Sequence, residues 1–341
     1  MNKELSISVC PGTLAEGFST YSPKCRKELF NGEKVRHILT FPAFQHSSSA
    51  QQQELIENRK NISISGVQEK YSLKLTGNIL ELTESHGQYI LKPIPSGLIQ
   101  PDQVPANEHL TMQIASQIFK LPTAKNAMIF FSDGQPAYIT KRFDIKDNGL
   151  KCLKEDFASM AEMTDKIAGK NYKYDYSYEK MALLIDKYFP ASIKAKEEFF
   201  RLVVFNYLFS NGDAHLKNFS RIDCSGSGDG MLAPAYDLIN TQLHISDSDL
   251  ALTEGLYEND YNYASYNYYG CYCYDDFTEF GKRIGLLPGR IKRIIQNFLT
   301  YEERIVSLIG KSFLNAESKE KYTNLYFEKL KRLKTSFSGL I

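Results

Sequence analysis

The sequence predicts a protein of the α+β class, with a small β-rich lobe followed by a helical lobe. Two observations carry this prediction: strand-like alternation recurs between residues 61 and 144, and apolar residues at helical spacing dominate beyond residue 149. A chain of 341 residues is long enough for two lobes with separate cores. We place a poorly readable N-terminal segment at 1–60, the β-rich lobe at 61–146 and the helical lobe at 147–341.

The composition is that of an ordinary soluble globular protein. Hydrophobic residues make up 43% and charged residues 24% of the chain, and the net charge of +1 creates no overall field that would attract nucleic acid or an anionic membrane. The longest apolar run is interrupted by Arg201 and is too short to span a bilayer. The six cysteines lack zinc-ligand spacing and the N-terminus lacks a signal-peptide core, so we expect a cytoplasmic protein with reduced thiols and no membrane contact.

The β-rich lobe is predicted to contain several strands and one helix. Residues 61–75 alternate on both sides of a central glycine, which predicts two strands joined at a tight bend. Residues 89–93 predict a strand that carries a single lysine near its end, and 107–119 predict a helix with a polar start. Residues 127–131 and 137–144 predict a hairpin that closes the lobe.

Helical spacing then predicts five helices in the second lobe, at 178–188, 194–209, 275–284, 291–309 and 319–333. Between them, the segment 257–274 is rich in tyrosine and asparagine. It fits a packed surface loop, which is the commoner case, or a recognition surface, where tyrosine is favoured.

The clearest indication of a chemical function is a polar loop that follows an apolar helix in the sequence. The helix breaks at the turn dipeptide Asn211-Gly212. Asp213 and Asn218 then stand five positions apart, which is the spacing of the protein-kinase catalytic loop. In that loop the Asp accepts a substrate hydroxyl proton and the Asn binds Mg²⁺. Alone the pair is weak evidence, because Asp and Asn are common in turns.

A predicted hairpin strengthens the signal. Its strands, 218–223 and 231–237, bring Asp237 back beside Asn218, and two converging oxygen ligands are typical of a magnesium site. The glycines between the strands resemble a phosphate loop, but no helix start or Lys-Ser/Thr follows them, so a hairpin turn is favoured. Phosphoryl transfer is the function that best explains loop and hairpin together.

Six separated motifs, taken in order, resemble those of the HipA-like bacterial toxin kinases, and most closely the shorter HipT-like members. The motifs are 63–68, 90–93, 107–109, 141–144, 212–219 and 234–237. The resemblance implies a bilobal atypical protein-kinase-like fold akin to lipid kinases, with an all-α C-lobe. It also implies a serine/threonine kinase that uses ATP and Mg²⁺, phosphorylates an aminoacyl-tRNA synthetase and is held in check by a helix-turn-helix antitoxin.

The chain departs from HipA in two places. Residues 1–60 are too short for the further N-terminal subdomain of HipA. In the shorter relatives a separate small protein stands in for it, which implies a HipA-N-like third component and contact with DNA only through the antitoxin. Lys141 stands where HipA has an acidic hinge residue. This difference should have little effect on adenine binding if adenine is bound through backbone groups.

The resemblance gives roles to the residues around the predicted loop. Asp213 would be the catalytic base, and Asn218 and Asp237 the metal ligands. His215 would orient Asp213 or contact phosphate, or else tether the loop to the core. Lys217 would stabilise the transferred phosphoryl group, or else remain solvated.

The nucleotide would be bound mainly by the first lobe. Lys92 is expected to neutralise phosphate oxygens, and Glu108 either pairs with Lys92 or complements its helix dipole. The hinge motif places Lys141 and Phe143 at the ATP site.

The bend in residues 61–75 would cover the phosphates with backbone amides, chiefly those of Ser65, Gly66 and Val67. Ser63 and Ser65 resemble the autophosphorylated serines of the family. The alternative is that both serines are turn residues with local hydrogen bonds.

Two other functions stay open at this point. One is a non-catalytic regulatory module that binds antitoxin or DNA, against which the complete set of Lys92, Asp213, Asn218 and Asp237 argues. The other is a small-molecule or lipid kinase on the same scaffold.

Overall fold

The computed structural model describes residues 6–43, 69–146 and 148–337, together with the backbone of 339–340. The first strand and the bend predicted within 61–75 lie outside the described residues, and so do Ser63, Ser65, Gly66 and Val67.

A five-stranded antiparallel sheet forms the first lobe, in the order β2-β1-β3-β5-β4. The strands are β1 (Tyr71–Thr76), β2 (Ile79–Leu82), β3 (Tyr89–Lys92), β4 (Asn126–Phe130) and β5 (Pro136–Lys141). Helix α2 (Val104–Gln117) packs against β4 and β5. The second strand of 61–75, the strand at 89–93, the helix and the closing hairpin are therefore confirmed, and β2 is an addition.

The N-terminal segment covers the other face of this sheet. Helix α1 (Pro23–Leu29) begins with Ser22, whose side chain accepts a hydrogen bond from the backbone of Cys25. The Tyr21 hydroxyl donates to the Met128 carbonyl (2.8 Å), and the Tyr89 hydroxyl donates to the Leu29 carbonyl (2.9 Å). Residues 6–43 thus share a core with the sheet. They lack a readable pattern because contacts distant in sequence, rather than periodic spacing, hold them in place.

The second lobe is largely helical and is built around α6. Its helices are α3 (Phe157–Met160), α4 (Asp165–Ala168), α5 (Tyr178–Tyr188), α6 (Ser192–Leu208), α7 (Ala264–Tyr269), α8 (Tyr274–Arg283), α9 (Pro288–Phe298), α10 (Glu302–Lys311) and α11 (Ala316–Leu333). Phe199, Val203 and Phe205 of α6 are completely buried. The predicted buried helix is confirmed, and the tyrosine-rich segment contains α7.

The single helix predicted at 291–309 is wrong, because the chain forms α9 and α10 with a break between them. The Thr300 hydroxyl donates to the carbonyl of Asn297 (2.9 Å), and Tyr301 leaves helical geometry with φ −115° and ψ 27°. The apolar spacing hides this break: Phe298 and Ile305 are both buried and stand seven residues apart, as in one continuous helix.

A three-stranded antiparallel sheet adds to the all-α lobe that the sequence predicted. Strands β7 (Ser220–Asp223) and β8 (Met231–Leu232) form the predicted hairpin, and β6 (Leu153–Asp156) pairs with β7. The Asp223 carboxylate accepts hydrogen bonds from the backbone amides of Ser225, Gly226 and Gly228. The glycine cluster is therefore a hairpin turn, as predicted. Residues Thr335–Ser336 and Gly339–Leu340 form a further short pair, β9 and β10.

The expectation of reduced thiols is wrong for one pair of cysteines. Cys152 and Cys224 form a disulfide with an S–S distance of 2.00 Å. The register that pairs Leu153 with Asp223 places the two cysteines opposite each other, with Cα atoms 4.3 Å apart. A sequence separation of 72 conceals the pairing until the sheet is known. Within the described residues, no helix combines the length and apolar character that a membrane crossing requires.

Candidate active site

The predicted catalytic loop leaves the buried end of α6 through a residue with left-handed geometry. Ser210 has φ +52°, so it ends the helix one residue before the predicted turn dipeptide. Gly212 donates its backbone N–H to the Thr241 hydroxyl (3.0 Å), and a Cβ at Gly212 would come within 2.3 Å of Asp247 Oδ2. The loop therefore needs glycine at this position for close packing.

Asp213 lies at the surface of the loop, where a substrate can reach it. Its side chain is 48% exposed, and its Oδ1 accepts a hydrogen bond from the Tyr174 hydroxyl (2.6 Å). His215 Nε2 lies 3.8 Å from the same oxygen, and the His215 ring contacts the Tyr174 ring edge to face. The sequence analysis did not single out Tyr174, which stands 39 residues before Asp213 with no spacing signal.

Asn218 ends a single 3₁₀ turn, Leu216–Asn218, that follows Asp213. Its Oδ1 is buried and has no hydrogen-bond partner among the described residues. A buried amide oxygen without a partner costs free energy unless a ligand satisfies it. This oxygen therefore fits the role of a cation ligand.

The β7–β8 hairpin brings the segment that carries Asp237 back to the loop, as the sequence predicted. The hydroxyl of its neighbour Tyr236 donates to the carbonyl of Lys217 (2.8 Å), which fixes the two ends of the hairpin side by side. Asp237 has φ +54°, a strained conformation for a residue other than glycine and one that is common at functional sites. The contact between Tyr236 and Lys217 is consistent with the predicted pairing of Asn218 and Asp237 at one site.

Lys92 joins the two lobes at this point. Its Nζ donates to Glu108 Oε1 (2.5 Å) and to Asp237 Oδ1 (2.5 Å), and Lys70 Nζ lies 3.8 Å from Asp237 Oδ2. Burial alone would lower the pKa of Lys92, but the charges of Asp237 and Glu108 outweigh it and raise that pKa above its usual value. Burial would raise the pKa of Asp237, but Lys92 and Lys70 hold it below its usual range. Both groups therefore stay charged at neutral pH.

The structure decides between the two interpretations of Glu108. Both Lys92 and Glu108 are 4% exposed, so their ion pair is buried, and Glu108 lies beyond the first turn of α2. The prediction that Glu108 pairs with Lys92 is confirmed.

The neighbours of Glu108 tie α2 to two other parts of the molecule. Asn107 Nδ2 donates to the Asn240 carbonyl (2.8 Å), three residues beyond Asp237. His109 Nε2 lies 3.3 Å from the Gly12 carbonyl in the N-terminal segment. The motif 107–109 thus positions the lysine through Glu108 and fixes the lobes around it, which the sequence did not reveal.

These residues fit a magnesium ion bound together with phosphates. Asn218 offers a buried oxygen without a partner, and Asp237 offers a carboxylate that its lysines keep ionised. In the described part of the chain, no group of three or more His, Cys, Asp or Glu side chains could hold a metal alone. Mg²⁺ usually completes a small protein ligand set with phosphate and water oxygens.

The side chains of the motif 141–144 point to two different faces of the structure. The Phe143 ring packs on the Tyr236 ring (5.6 Å between centroids), and Lys154 Nζ lies 4.6 Å from the centre of the Tyr236 ring. Lys141 pairs with Tyr89, on the sheet face opposite Lys92, and its Nζ donates to Asn31 Oδ1 (2.7 Å). Strand alternation therefore directs the Lys141 side chain away from Lys92, and the assignment of Lys141 to the ATP site stays a prediction for its backbone groups.

The two basic side chains of the loop do not add charge to the site. Lys217 Nζ donates to Asp156 Oδ2 (2.9 Å), the carboxylate that caps α3. Burial lowers the pKa of His215 to about 4, so its ring is neutral at pH 7. Tethering of the loop is thus the better-supported role for His215, whose buried ring packs on Tyr174, and Lys217 forms an ion pair with Asp156 instead of remaining solvated.

The buried histidines make stability depend on pH. Burial lowers the pKa of His215 and of His109 to about 4, whereas histidine in the unfolded chain titrates near 6.5. Below pH 6.5 the unfolded state binds protons that the folded state excludes, so stability present above pH 6.5 is lost as pH falls toward 4. Each histidine should account for up to about 3 kcal/mol of this loss.

Urea unfolding at pH 7 and pH 4.5 measures this effect. The His215→Gln variant should lose less stability across the interval than wild type, whereas a matched change at the exposed His86 should not alter the loss. Equal losses in wild type and His215→Gln would contradict the buried neutral state of His215.

Comparisons with known proteins agree with this geometry. A chain named putative kinase from Haemophilus influenzae is 29% identical over 307 residues, covering 84% of this chain and 87% of that protein. Putative kinase Y4dM from Sinorhizobium fredii is 31% identical over 218 residues, covering 59% and 51%.

Two solved structures share the fold at 18% sequence identity each. The Shewanella oneidensis HipA, solved with HipB and its operator DNA, superposes with a TM-score of 0.62 over 82% of this chain and 70% of that chain. The Helicobacter pylori proinflammatory kinase CtkA superposes with a TM-score of 0.50 over 78% and 90%. The fold is therefore that of the HipA-like atypical kinases, as the sequence predicted.

A family model for the HipA-like C-terminal domain matches residues 62–305, which is more than half of the chain. Its match spans Asp213 and Asn218 of the loop after α6 as well as Lys92 and Asp237, which the structure pairs. This chain therefore belongs to the kinase-like family of proteins with a HipA-like C-terminal domain.

Proposed function

We propose that this chain is an ATP- and Mg²⁺-dependent serine/threonine protein kinase and the toxin of a toxin–antitoxin system. One observation carries the proposal. Asp213 and Asn218 lie on the loop that follows α6, and the Tyr236 hydroxyl bonds the Lys217 carbonyl of that loop next to Asp237, which pairs with Lys92. A base, two metal ligands and a phosphate-binding cation are the parts that phosphoryl transfer requires.

The side chains divide the work as follows. Lys92, fixed by Glu108, binds phosphate oxygens, and Asn218 and Asp237 hold Mg²⁺, which when bound neutralises phosphate charge. Asp213 accepts the proton of the substrate hydroxyl. The hydroxyl oxygen forms a bond to the γ-phosphorus while the bond from that phosphorus to the nucleoside diphosphate breaks.

The proposed target is an aminoacyl-tRNA synthetase, and the proposed partners are a helix-turn-helix antitoxin and a small HipA-N-like third component. The solved HipA complex with HipB and operator DNA supports an antitoxin partner through which the toxin meets DNA. These proposals rest on the family likeness, since no described residue identifies a target.

Autophosphorylation of Ser63 and Ser65 is the experiment that tests the proposal. Lys70, which follows Ser65 by five residues in the sequence, lies with its Nζ 3.8 Å from Asp237 Oδ2. Wild type incubated with ATP and Mg²⁺ should carry phosphate on the 61–70 peptide, measured by mass spectrometry, and the Asp213→Ala variant should carry none.

A second experiment measures how phosphorylation of these serines changes the affinity for ATP. Phosphoserine adds about −1.5 to −2 charges, which should repel the nucleotide phosphates. Calorimetry should therefore show weaker ATP binding for Ser63→Asp with Ser65→Asp than for the double alanine variant. An unmodified peptide from protein that also fails to phosphorylate added protein substrates would favour a small-molecule kinase or a non-catalytic module instead.

A further inference from the structure

The segment between α4 and α5 reaches the proposed base, although the proposed function gives it no role. Tyr174, in this segment, donates its hydroxyl to Asp213 Oδ1 over 2.6 Å. Among the described residues, this hydroxyl is the only side-chain donor to the Asp213 carboxylate that lies within hydrogen-bond distance. His215 Nε2, the other nearby group, stands 3.8 Å away, beyond a hydrogen bond.

The backbone holds Tyr174 against the loop from two sides. The carbonyl of Lys173 accepts the N–H of Leu216, in the catalytic loop (3.1 Å), and the carbonyl of Tyr174 accepts the N–H of Thr253 (2.9 Å). Tyr174 therefore cannot drift from Asp213 without breaking hydrogen bonds to the loop itself.

The Tyr174 ring is fixed as firmly as its backbone. Its centroid lies 5.0 Å from that of His215, at an interplanar angle of 73°, and Lys173 Nζ lies 4.7 Å from the centre of the Tyr174 ring. Burial and the adjacent Asp213 carboxylate raise the pKa of Tyr174 above its usual value, so the hydroxyl keeps the proton that it donates.

A hydrogen-bond donor fixed on one oxygen of the Asp213 carboxylate determines the direction in which the other oxygen points. An exposed aspartate with no donor samples several rotamers, and only some of them aim a free lone pair at a substrate hydroxyl. Here Oδ1 is engaged by Tyr174, whereas Oδ2 accepts no hydrogen bond from the described residues and the side chain is 48% exposed. The contact orients the carboxylate and leaves it accessible.

We propose that Tyr174 is a positioning residue for phosphoryl transfer, which engages Oδ1 of Asp213 so that Oδ2 faces the acceptor hydroxyl. The proposal rests on the proposed function, in which Asp213 accepts the proton of that hydroxyl. It differs from a blocking role, in which the tyrosine hydroxyl would occupy the place of the substrate. The two roles predict opposite effects when the hydroxyl is removed.

The Tyr174→Phe variant removes the donor and keeps the ring. Its kcat for a protein acceptor should fall about 10- to 100-fold, the range expected for a misplaced catalytic group, while KM for ATP stays unchanged. Tyr176→Phe, in the same segment but without a hydrogen bond to the loop, is the matched control and should retain wild-type kcat.

A double-mutant cycle separates positioning from a general structural effect. In an Asp213→Ala background, Tyr174→Phe should cause no further loss of residual transfer, because there is no carboxylate left to orient. A full additional loss would overturn the proposal, as would a higher KM for ATP or an unchanged kcat in Tyr174→Phe alone.

A rise in kcat would overturn it in favour of the blocking role. If wild type transfers no phosphate to any acceptor, the proposed function itself fails. If wild type transfers phosphate and Tyr174→Phe equals it, only the positioning role fails.

Discussion

Replacing Asp213 with asparagine is expected to reduce phosphoryl transfer by about 10²- to 10⁴-fold, the range that a positioned general base contributes. Asparagine keeps the shape of the side chain and can still accept the hydroxyl of Tyr174, but it cannot take up a substrate proton. Because the Asp213 side chain is half-exposed and outside the core, the variant should fold normally. The loss should appear in kcat, with nucleotide affinity little changed.

The measurement is transfer of labelled phosphate from ATP to the chain and to an added protein substrate. Asp175→Asn is the matched control, since Asp175 lies beside Tyr174 and accepts a hydrogen bond from Thr253 rather than contacting the loop. Thermal unfolding of both variants should match wild type. Near wild-type transfer by Asp213→Asn would show that another group is the base.

The catalytic loop could be predicted because its chemistry is local in sequence. Asp213 and Asn218 are five positions apart, and the hairpin that returns Asp237 carries its own strand and turn pattern. Each of these signals depends on neighbouring residues, so the sequence displays it directly. The family motifs then extended the same set to Lys92 and Glu108, and the structure shows Lys92 bonded to both Glu108 and Asp237.

The parts that the sequence did not reveal depend on contacts between distant segments. Tyr174 reaches Asp213 because the carbonyl of the preceding Lys173 bonds Leu216 and its own carbonyl bonds Thr253. Asn107 meets Asn240, which is 133 residues away, and no periodicity marks such a contact.

Strand register explains two features that the sequence analysis did not predict. Alternation along β5 places the side chain of Lys141 on the face opposite Lys92, and register between β6 and β7 brings Cys152 to Cys224. Which face a residue occupies follows from pairing partners, and a motif match does not contain that information.

Asp237→Asn is expected to have the second large effect, and it tests the metal side of the site. The change removes the charge of the proposed Mg²⁺ ligand and leaves Lys92 paired with Glu108, so the lysine keeps a buried partner. We expect a loss of about 10²- to 10³-fold in kcat, comparable to removing one strong electrostatic contact from a transition state. We also expect saturation with Mg²⁺ to require higher concentrations, because Asn218 would be the remaining protein ligand.

Nucleotide binding measured with and without Mg²⁺ distinguishes this effect from general damage. In wild type, Mg²⁺ should strengthen ATP binding, whereas in Asp237→Asn it should strengthen binding little or not at all. Metal-free binding should not weaken in the variant, because Asp237 is an anion next to Lys92, the proposed phosphate-binding group, and removing its charge lowers repulsion of the phosphates. Asp223→Asn, which alters the turn of the same hairpin, controls for distortion and should keep the Mg²⁺ response. An Asp237→Asn protein with wild-type Mg²⁺ dependence would place the metal at other residues, and the proposed pairing of Asn218 with Asp237 would then be wrong.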